Sequence, residues 1–357
     1  MSERNPLFSD RVYYEIISGC NLHCKHCSDL LSEQKNKMLS KEKIIKFHKK
    51  MLDKFGICNS VVTGGEPALH PEFIPIVEEL EKSGDVTITS NGTLLDIDMV
   101  EKLLKNRRVT LQLSIDGFSQ ETFDGIRGKG THKKVYDLIE QIAERNLNAQ
   151  VGVSMTMMQQ NIDEVMQMIS YCEKKELAYI YFPTLLPVGT ALKKWDTTAP
   201  EVNAQKKIED AVFEKIAMEK SKIPILSNRL DQICAKAIPE NRTDCLSTFT
   251  IKVCPNELVM PCPVSSKTEH SLGNINDDDI AALIVENLNK IKIRKEEYRF
   301  QEKKCKECSI KNYCRGEFCA NCSLMMDGLT TAKDYFCEVT KYHVNNLLEE
   351  VEENRTV

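Results

Sequence analysis

Three cysteines lie within eight residues near the start of the chain. They are Cys20, Cys24 and Cys27, with the spacing C-x3-C-x2-C. Thiolates at such short spacing are ligands for zinc or for an iron-sulfur cluster. Three thiolates are one ligand short of a closed tetrahedral zinc site or a fully ligated 4Fe-4S cluster, which leaves one metal open to an exogenous group. The zinc interpretation needs a fourth ligand nearby, for which His23 and His26 are available.

The other cysteines form a second concentration. Ten of the 15 cysteines fall between Cys234 and Cys337, and outside the two groups only Cys58 and Cys172 stand alone. The N-terminal segment lacks the apolar stretch of a signal peptide. A reducing compartment makes disulfides improbable, so the clustered cysteines are expected to be metal ligands. The two isolated cysteines lie in apolar, periodic segments and are predicted to be small buried core residues.

Composition excludes several classes of function. The 357 residues are 41% hydrophobic and 28% charged, which is typical of a soluble globular protein of two or three structural units. A net charge of −5 creates no general attraction for nucleic acid or anionic lipid. The apolar runs are far shorter than the roughly 18 residues of a membrane-spanning helix. We therefore expect a cytoplasmic protein with neither nucleic-acid nor membrane partners.

The elements that must position the first cysteine group alternate in a regular way. Short β-branched or aromatic runs alternate with segments of helical period, which predicts an α/β fold with a parallel sheet. Six strands are predicted, at 12–17, 59–63, 86–90, 109–114, 150–156 and 178–183. Helix starts are predicted at Ser40, Pro71, Asp96, Thr131 and Asn161, with Gly84 ending the second helix. Six βα units form a partial TIM-like (β/α)6 barrel, whose functional residues are expected at the carboxyl ends of the strands.

The alternation stops near residue 184, where the chain becomes rich in Pro and Thr. We predict a barrel domain over 1–192, a bridging helical region over 193–233, a small cysteine-rich domain over 234–340 and a C-terminal helix over 341–357. The cysteine-rich domain has few long apolar helices, so bound metal is expected to supply much of its folding free energy.

Further motifs follow the predicted strands in order: Thr63 to Pro67 (TGGEP), Thr89 to Gly92 (TSNG), Leu113 to Gly117 (LSIDG) and Ile126 to Gly128 (IRG). Together with the first cysteine group, they resemble the radical S-adenosylmethionine superfamily, with His26 at the position that is aromatic in its C-x3-C-x2-aromatic-C signature. The resemblance implies a 4Fe-4S cluster on the three cysteines and S-adenosylmethionine bound at the open iron.

The resemblance also implies roles for individual residues. The turn of Gly64, Gly65 and Glu66 contacts the methionine amino group, and Arg127 pairs with the methionyl carboxylate. The remaining cofactor-binding residues implied are Asn91 at the end of the third strand, Ser114 and Asp116 near the ribose or methionyl part, and Leu185 near the adenine. These residue types suit the task, because glycine allows close backbone approach and arginine offers a bidentate fork for a carboxylate.

The C-terminal cysteines resemble the SPASM domain, which carries auxiliary 4Fe-4S clusters. That resemblance implies two clusters. One is on Cys305, Cys308, Cys314 and Cys337, and the other is on Cys245, Cys262 and Cys319 with Cys254 as its fourth ligand. Two departures are visible: Glu257 replaces a glycine, which predicts a different turn, and the spacing after Cys314 leaves open whether Cys319 or Cys322 is the ligand. Paired zinc knuckles are the alternative for the whole segment.

The resemblance implies an enzyme that reductively cleaves S-adenosylmethionine to a 5′-deoxyadenosyl radical and abstracts hydrogen from a substrate C–H bond. The leading substrate is a ribosomally made peptide, modified by thioether formation, C–C crosslinking or epimerisation. The alternatives are a sugar or other small molecule and the oxidation that matures anaerobic sulfatases. An iron-sulfur sensor would leave the strand-end motifs without a role.

Partners follow from the same resemblance. An external one-electron donor of the flavodoxin or ferredoxin type is implied. Only 19 residues precede Cys20, so a leader peptide would need a separate binding protein or the barrel rim. For an epimerisation, the hydrogen-atom donors predicted are the surplus thiols Cys234, Cys254 and Cys322.

Overall fold

The fold is described by a computed structural model, which covers residues 8–28, 37–218, 220–227, 249–265, 267–298, 303–314 and 329–353. Its centre is a sheet in which six strands follow one another in chain order, each parallel to the next. The strands are β1 (Arg11–Glu15), β2 (Asn59–Thr63), β3 (Val86–Ser90), β4 (Val109–Ser114), β5 (Val151–Ser154) and β6 (Tyr179–Phe182). The predicted α/β fold with a partial barrel is confirmed.

Helices connect these strands. They are α1 (Lys41–Phe55), α2 (Phe73–Leu80), α3 (Ile97–Leu103), α4 (Gln120–Arg127), α5 (Thr131–Glu144) and α6 (Val165–Lys174). The predicted starts at Ser40 and Asp96 are confirmed, since each side chain accepts a backbone N–H of the first turn. Helix α4 was not predicted; its eight residues give too short a periodic pattern, although Ser119 caps it in the same way.

Three predicted helix boundaries differ from the structure. Helix α2 begins at Phe73, two residues after Pro71, and it ends at Leu80 rather than near Gly84. Helix α5 includes Thr131 and is preceded by Gly130, whose φ of +80° is left-handed and therefore favours glycine. After Asn161, a short 3-10 turn precedes α6.

The core lies between the sheet and these helices. Inward residues such as Val12, Ile88 and Leu111 are fully buried, and Ile44 and Ile139 from the helices pack with them. Of the isolated cysteines, Cys172 is buried as predicted, whereas Cys58 is half-buried. The rigid body that this packing creates carries the loops that follow the strands.

The sheet continues beyond the six predicted strands at both edges. Strand β7 (Ile225–Ser227) pairs in parallel with β6, and β8 (Lys252–Val253) pairs in parallel with β1. Strands β9 (Leu258–Met260) and β10 (Gly273–Asn274) complete that edge as antiparallel neighbours. The prediction of six strands missed these four because each has only two or three residues. The domain boundaries remain a prediction.

Further helices follow β6. They are α7 (Gly189–Lys193), α8 (Trp195–Thr198), α9 (Val202–Ala217), α10 (Ile280–Tyr298), α11 (Lys303–Lys306), α12 (Lys311–Cys314) and α13 (Leu329–Glu353). Helix α13 begins earlier than the predicted closing helix and packs on α9. In the part of the chain that the structure describes, no helix is both long and apolar enough to cross a membrane.

The turn between β8 and β9 contains Glu257, which replaces the glycine of the SPASM pattern. Glu257 has φ of +70°, the left-handed geometry that glycine adopts easily. Its side chain contacts Lys43 and accepts a hydrogen bond from Asn276 Nδ2 at 2.7 Å. Glutamate thus occupies a backbone geometry that suits a glycine, and its side-chain contacts offset part of the cost. That the turn differs from the one in the SPASM pattern remains a prediction.

We expect the free energy of unfolding of Glu257→Gly to exceed that of Glu257→Ala by about 1 kcal/mol. Both variants lose the side-chain contacts, but only glycine relieves the cost of the left-handed backbone. Denaturant unfolding of the two variants measures this difference directly. Equal stability of the two variants would contradict a backbone cost at this position.

Candidate active site

The loop of the first three cysteines follows β1 and is fixed to neighbouring segments by backbone hydrogen bonds. Lys25 N donates to Ile126 O at the end of α4 at 3.1 Å, and Thr190 N donates to Cys27 O at 2.9 Å. Cys24 is buried, whereas Cys20 and Cys27 are half-buried. The structure thus holds the three thiols at the carboxyl end of the strands, as predicted for a functional loop.

The glycine turn after β2 lies against this loop. Gly65 N donates to Ile17 O at 2.8 Å, and Glu66 N donates to Gly19 O at 2.9 Å. A Cβ atom at Gly65 would lie 2.2 Å from Gly19 O, and one at Gly64 would lie 2.5 Å from Ile17 O. Both positions therefore require glycine for the turn to pack on the cysteine loop.

Glu66 joins the ends of β2 and β3. It is fully buried; its Oε1 accepts hydrogen bonds from Ser90 Oγ at 2.7 Å and Ala68 N at 3.1 Å, and its Oε2 accepts one from Asn91 N at 2.8 Å. Burial raises the pKa of Glu66, although these hydrogen bonds and Arg127 act in the opposite direction. These hydrogen bonds hold the glycine turn against the end of β3.

Asn91 connects the same strand end to the first thiol. Its Nδ2 donates to Asn21 Oδ1 at 3.0 Å and lies 3.9 Å from Cys20 Sγ. Asn21 Nδ2 in turn donates to Thr93 Oγ1 at 2.8 Å. Burial raises the pKa of Cys20, and the contact with Asn91 opposes that rise. Asn21 and Thr93 were not predicted as site residues, because their only signal in the sequence is their position beside Cys20 and Asn91.

Asp116 and Arg127 form a buried ion pair at the end of β4. Asp116 Oδ2 lies 2.7 Å from Arg127 Nε and 2.6 Å from its Nη2, with side chains only 1% and 8% exposed respectively. Asp116 Oδ1 accepts a hydrogen bond from Thr156 N at 2.8 Å, and His26 Nε2 lies 3.2 Å from Oδ2. One carboxylate therefore joins the cysteine loop, α4 and the end of β5.

Arg127 also faces a thiol. Its Nη1 lies 3.8 Å from Cys24 Sγ. Burial raises the pKa of Cys24 to about 11, and the positive charge of Arg127 opposes this rise. Because a metal binds the thiolate, a guanidinium at this position favours the charged form that a cluster needs. His26, at the signature's aromatic position, keeps Nδ1 buried without a hydrogen-bond partner among the described residues.

The last two predicted cofactor residues lie on neighbouring strand ends. Ser114 ends β4 and stands in register with Ser154 of β5. Leu185, on the segment after β6, is buried and lines a cavity with Met157 and Phe182. The structure thus brings the predicted residues to one edge of the sheet, and their contacts with a cofactor remain a proposal.

The C-terminal thiols that the structure describes form two groups. Burial raises the pKa of Cys337 and Lys341 opposes the rise, whereas Cys314, Cys308 and Cys305 each raise it further, so these three thiols lie within electrostatic range of Cys337. Together with Cys337 they are the four residues predicted to share one auxiliary cluster. Cys234, Cys245, Cys319 and Cys322, which were predicted as further ligands or hydrogen-atom donors, lie outside the described residues.

Cys254 and Cys262 lie near a buried lysine that the sequence analysis missed. The side chain of Lys252 is 1% exposed; its Nζ lies 3.4 Å from Glu15 Oε1 and donates to Ser265 O at 3.1 Å. Burial lowers the pKa of Lys252, but Glu15 and the two thiols raise it overall. Burial raises the pKa of Cys254 to about 12, and the ammonium of Lys252 opposes this rise, which favours the thiolate form that a metal binds.

The donor chemistry fits the implied groups. The N-terminal loop offers three thiols, a neighbouring guanidinium and an unpartnered imidazole nitrogen, which suit a three-thiolate cluster and a polar ligand. Among the described residues, no three Cys, His, Asp or Glu side chains are arranged to hold one metal ion. In a cubane each thiolate binds a different iron, so its ligands need not converge on one ion as zinc ligands do.

Comparison with known families agrees with this chemistry. The sequence model of the Radical SAM superfamily matches residues 14–172, so this part of the chain is a Radical SAM domain. Among curated relatives, a GTP 3′,8-cyclase of Listeria monocytogenes is 29% identical over 193 residues, which are 52% of this chain and 57% of that protein. A probable GTP 3′,8-cyclase of Saccharolobus solfataricus is 31% identical over 57% of this chain and 64% of its own length. The chain spans about half to two thirds of these relatives.

Solved structures share the fold over more of the chain. The structure titled native anSMEcpe with bound AdoMet and Cp18Cys peptide is 19% identical, with a TM-score of 0.72 over 96% of this chain and 99% of that chain. Streptococcus suis SuiB bound to S-adenosylmethionine is 15% identical, with a TM-score of 0.68 over 88% of this chain and 74% of that chain. At this level of identity the likeness establishes the fold alone.

We expect Asp116→Asn to lower the free energy of unfolding by about 3 kcal/mol, because it leaves the buried Arg127 charge without its counterion. Denaturant unfolding measures the loss. The matched control is Asp98→Asn in the exposed first turn of α3, with an expected effect below about 0.5 kcal/mol. Similar stability of the two variants would contradict the structural importance of this ion pair.

Proposed function

We propose that this protein is a radical S-adenosylmethionine enzyme in which Cys20, Cys24 and Cys27 hold a 4Fe-4S cluster with one open iron. The observation that carries the proposal is that these three thiols lie in one loop, next to buried Glu66 and next to the Asp116–Arg127 ion pair. When bound, the cluster supplies the electron that cleaves S-adenosylmethionine into methionine and a 5′-deoxyadenosyl radical, which abstracts hydrogen from the substrate.

The chain's own residues orient and shield these groups. The turn of Gly64 and Gly65 places backbone without side chains next to the thiol loop. This backbone is suited to binding the methionine ammonium group. Arg127 is fixed by Asp116 through Nε and Nη2, and its charge suits the methionyl carboxylate. His26 Nδ1 and Asn91 provide polar atoms on the same side. Ser114 and Leu185, at the ends of β4 and β6, are the residues proposed for the ribose and the adenine.

Two auxiliary clusters are proposed for the C-terminal region. The electrostatic influence of Cys305, Cys308 and Cys314 on Cys337 supports the first. Cys254 and Cys262 around Lys252 support the second, with the other ligands among the cysteines outside the described residues. Cys254 is 3% exposed, which favours its role as a ligand over that of a hydrogen-atom donor to a substrate.

A peptide is the proposed substrate. Two observations support it: the fold resembles anSMEcpe, solved with a Cp18Cys peptide, and SuiB, solved with the precursor peptide SuiA. An external flavodoxin- or ferredoxin-type donor and, for a leader peptide, a separate binding protein complete the proposed partners.

A nucleotide is the second candidate substrate, because curated relatives of this chain include GTP 3′,8-cyclases. The match to the Listeria protein covers little more than half of each chain. A direct comparison of purified GTP with candidate peptides as substrates of the reduced enzyme separates the two candidates.

Anaerobically reconstituted protein is expected to contain about twelve irons, as three 4Fe-4S clusters. Replacement of Cys20, Cys24 and Cys27 by Ala is expected to remove about four of them, because only the N-terminal cluster loses its ligands. Iron and sulfide analysis measures both values. Zinc in the C-terminal region with iron near four would contradict the auxiliary clusters.

Arg127→Lys is expected to weaken S-adenosylmethionine binding at least several-fold, because lysine keeps the charge but loses the fork. Equilibrium binding to the reconstituted protein measures the change. The matched control is Arg145→Lys, which alters an exposed arginine paired with Glu101 on the outer helices. Unchanged binding in Arg127→Ala would assign Arg127 to the structural ion pair alone.

A further inference from the structure

A buried lysine lies between the two segments whose thiols are proposed for the second auxiliary cluster. The side chain of Lys252 is 1% exposed, and its Nζ donates a hydrogen bond to Ser265 O at 3.1 Å. Ser265 N donates in turn to Cys262 O at 3.1 Å, and Cys254 follows Lys252 by two residues. The ammonium group is therefore fixed next to both thiol-bearing segments.

The pairing of β8 with β1 determines which face of the sheet carries this lysine. Tyr14 pairs in parallel register with Val253. The next residues along the two segments, Glu15 and Cys254, are therefore neighbours. Tyr14 is fully buried and packs against helix α1 on the outer face of the sheet. Because side chains alternate along a strand, Glu15, Lys252 and Cys254 lie on the opposite, inner face.

Glu15 forms an ion pair with Lys252 on this inner face. Its Oε1 lies 3.4 Å from Lys252 Nζ, and its Oε2 is buried without a hydrogen-bond partner among the described residues. An ammonium has three N–H donors, and Glu15 Oε1 and Ser265 O accept two of them. Within the described part of the chain, the third donor is left for a group bound at the neighbouring thiols.

The charge of a cluster explains what a buried ammonium does beside it. Reduction of a 4Fe-4S cluster adds one negative charge, so a nearby positive charge stabilises the reduced form and a nearby negative charge destabilises it. Burial strengthens both effects, because little water screens them. Burial lowers the pKa of Lys252, whereas Cys254 and Cys262 raise it, so both thiols lie within electrostatic range of the ammonium.

We propose that Lys252 raises the reduction potential of the cluster bound through Cys254 and Cys262, and that Glu15 lowers it. The inference rests on the proposed function, because that cluster is part of the proposal made there. Neither residue is a ligand. Their two opposite charges set how readily the cluster accepts an electron.

The test is a potentiometric titration of the anaerobically reconstituted full chain, followed by electron paramagnetic resonance. Cys20, Cys24 and Cys27 are replaced by Ala, so that the auxiliary clusters alone are observed. Lys252→Met is expected to lower one midpoint potential by at least about 59 mV, a tenfold change in the ratio of reduced to oxidised cluster. Glu15→Gln is expected to change the same ratio at least threefold in the opposite direction.

The opposite signs separate an effect of charge from a disturbance of structure. Removal of a positive and of a negative charge must move the potential in opposite directions, whereas loosened packing moves it the same way in both variants. Shifts of the same sign, or no shift in either variant, would overturn the proposal. The cluster on Cys305, Cys308, Cys314 and Cys337 serves as an internal reference, with an expected change below twofold.

The matched control is Lys215→Met. Lys215 is a lysine of α9 with a side chain 17% exposed, and its Nζ lies 2.9 Å from Glu173 Oε1 on α6, so the same charge is removed from another half-buried ion pair. Neither auxiliary potential is expected to change by more than twofold in the ratio. An equal shift in Lys215→Met and Lys252→Met would overturn the proposal.

A second variant covers the outcome in which Lys252→Met does not retain its iron. Glu15→Gln is nearly isosteric and keeps the lysine, so an unshifted potential in this variant would then overturn the proposal. Iron analysis separates the two proposals. About eight irons in this background with unshifted potentials would defeat the assignment of Lys252 alone. Absence of iron from the C-terminal region would defeat the auxiliary clusters and this assignment with them.

Discussion

The arrangement of the site depends on the buried ion pair between Asp116 and Arg127. A charged guanidinium that is only 8% exposed is stable only with a counterion, and Asp116 is the carboxylate that supplies it. The same carboxylate accepts Thr156 N and contacts His26. It therefore sets the distance between the cysteine loop, α4 and the end of β5. Glu66 performs the corresponding task for the ends of β2 and β3, with three hydrogen bonds to its two oxygens.

These two carboxylates explain why buried charge is tolerated beside a thiol loop. Burial alone disfavours thiolates, and the pKa of Cys24 rises to about 11 as a result. Arg127 acts against that rise at the thiol that is most buried. Lys252, on the strand β8 that pairs with β1, has the same relation to Cys254 and Cys262. In both places a lysine or arginine, neutralised by one carboxylate, lies beside thiols that must lose protons to bind metal.

Much of the fold and part of the site were predictable from the sequence. Strand patterns and cap residues such as Ser40 and Asp96 are local signals, and they placed the six central strands and the ends that carry the motifs. Long-range contacts have no such signal. The pairing of β8 with β1, the burial of Lys252 against Glu15 and the contact of Glu209 with His343 join residues over 100 positions apart. Glu257 shows the same limit: its residue type does not indicate a left-handed backbone, and the hydrogen bond from Asn276 that accompanies this geometry is visible only in the structure.

The central claim is that the loop of Cys20, Cys24 and Cys27 supports reductive cleavage of S-adenosylmethionine. The most direct measurement incubates anaerobically reconstituted, dithionite-reduced protein with S-adenosylmethionine and quantifies 5′-deoxyadenosine and methionine by chromatography. We predict equal amounts of the two products from the native protein and none above background from Cys24→Ala, while Cys172→Ala, which removes a buried thiol far from the loop in the chain, retains the reaction. Absence of 5′-deoxyadenosine from native protein with a full complement of iron, or its undiminished formation by Cys24→Ala, would contradict the claim.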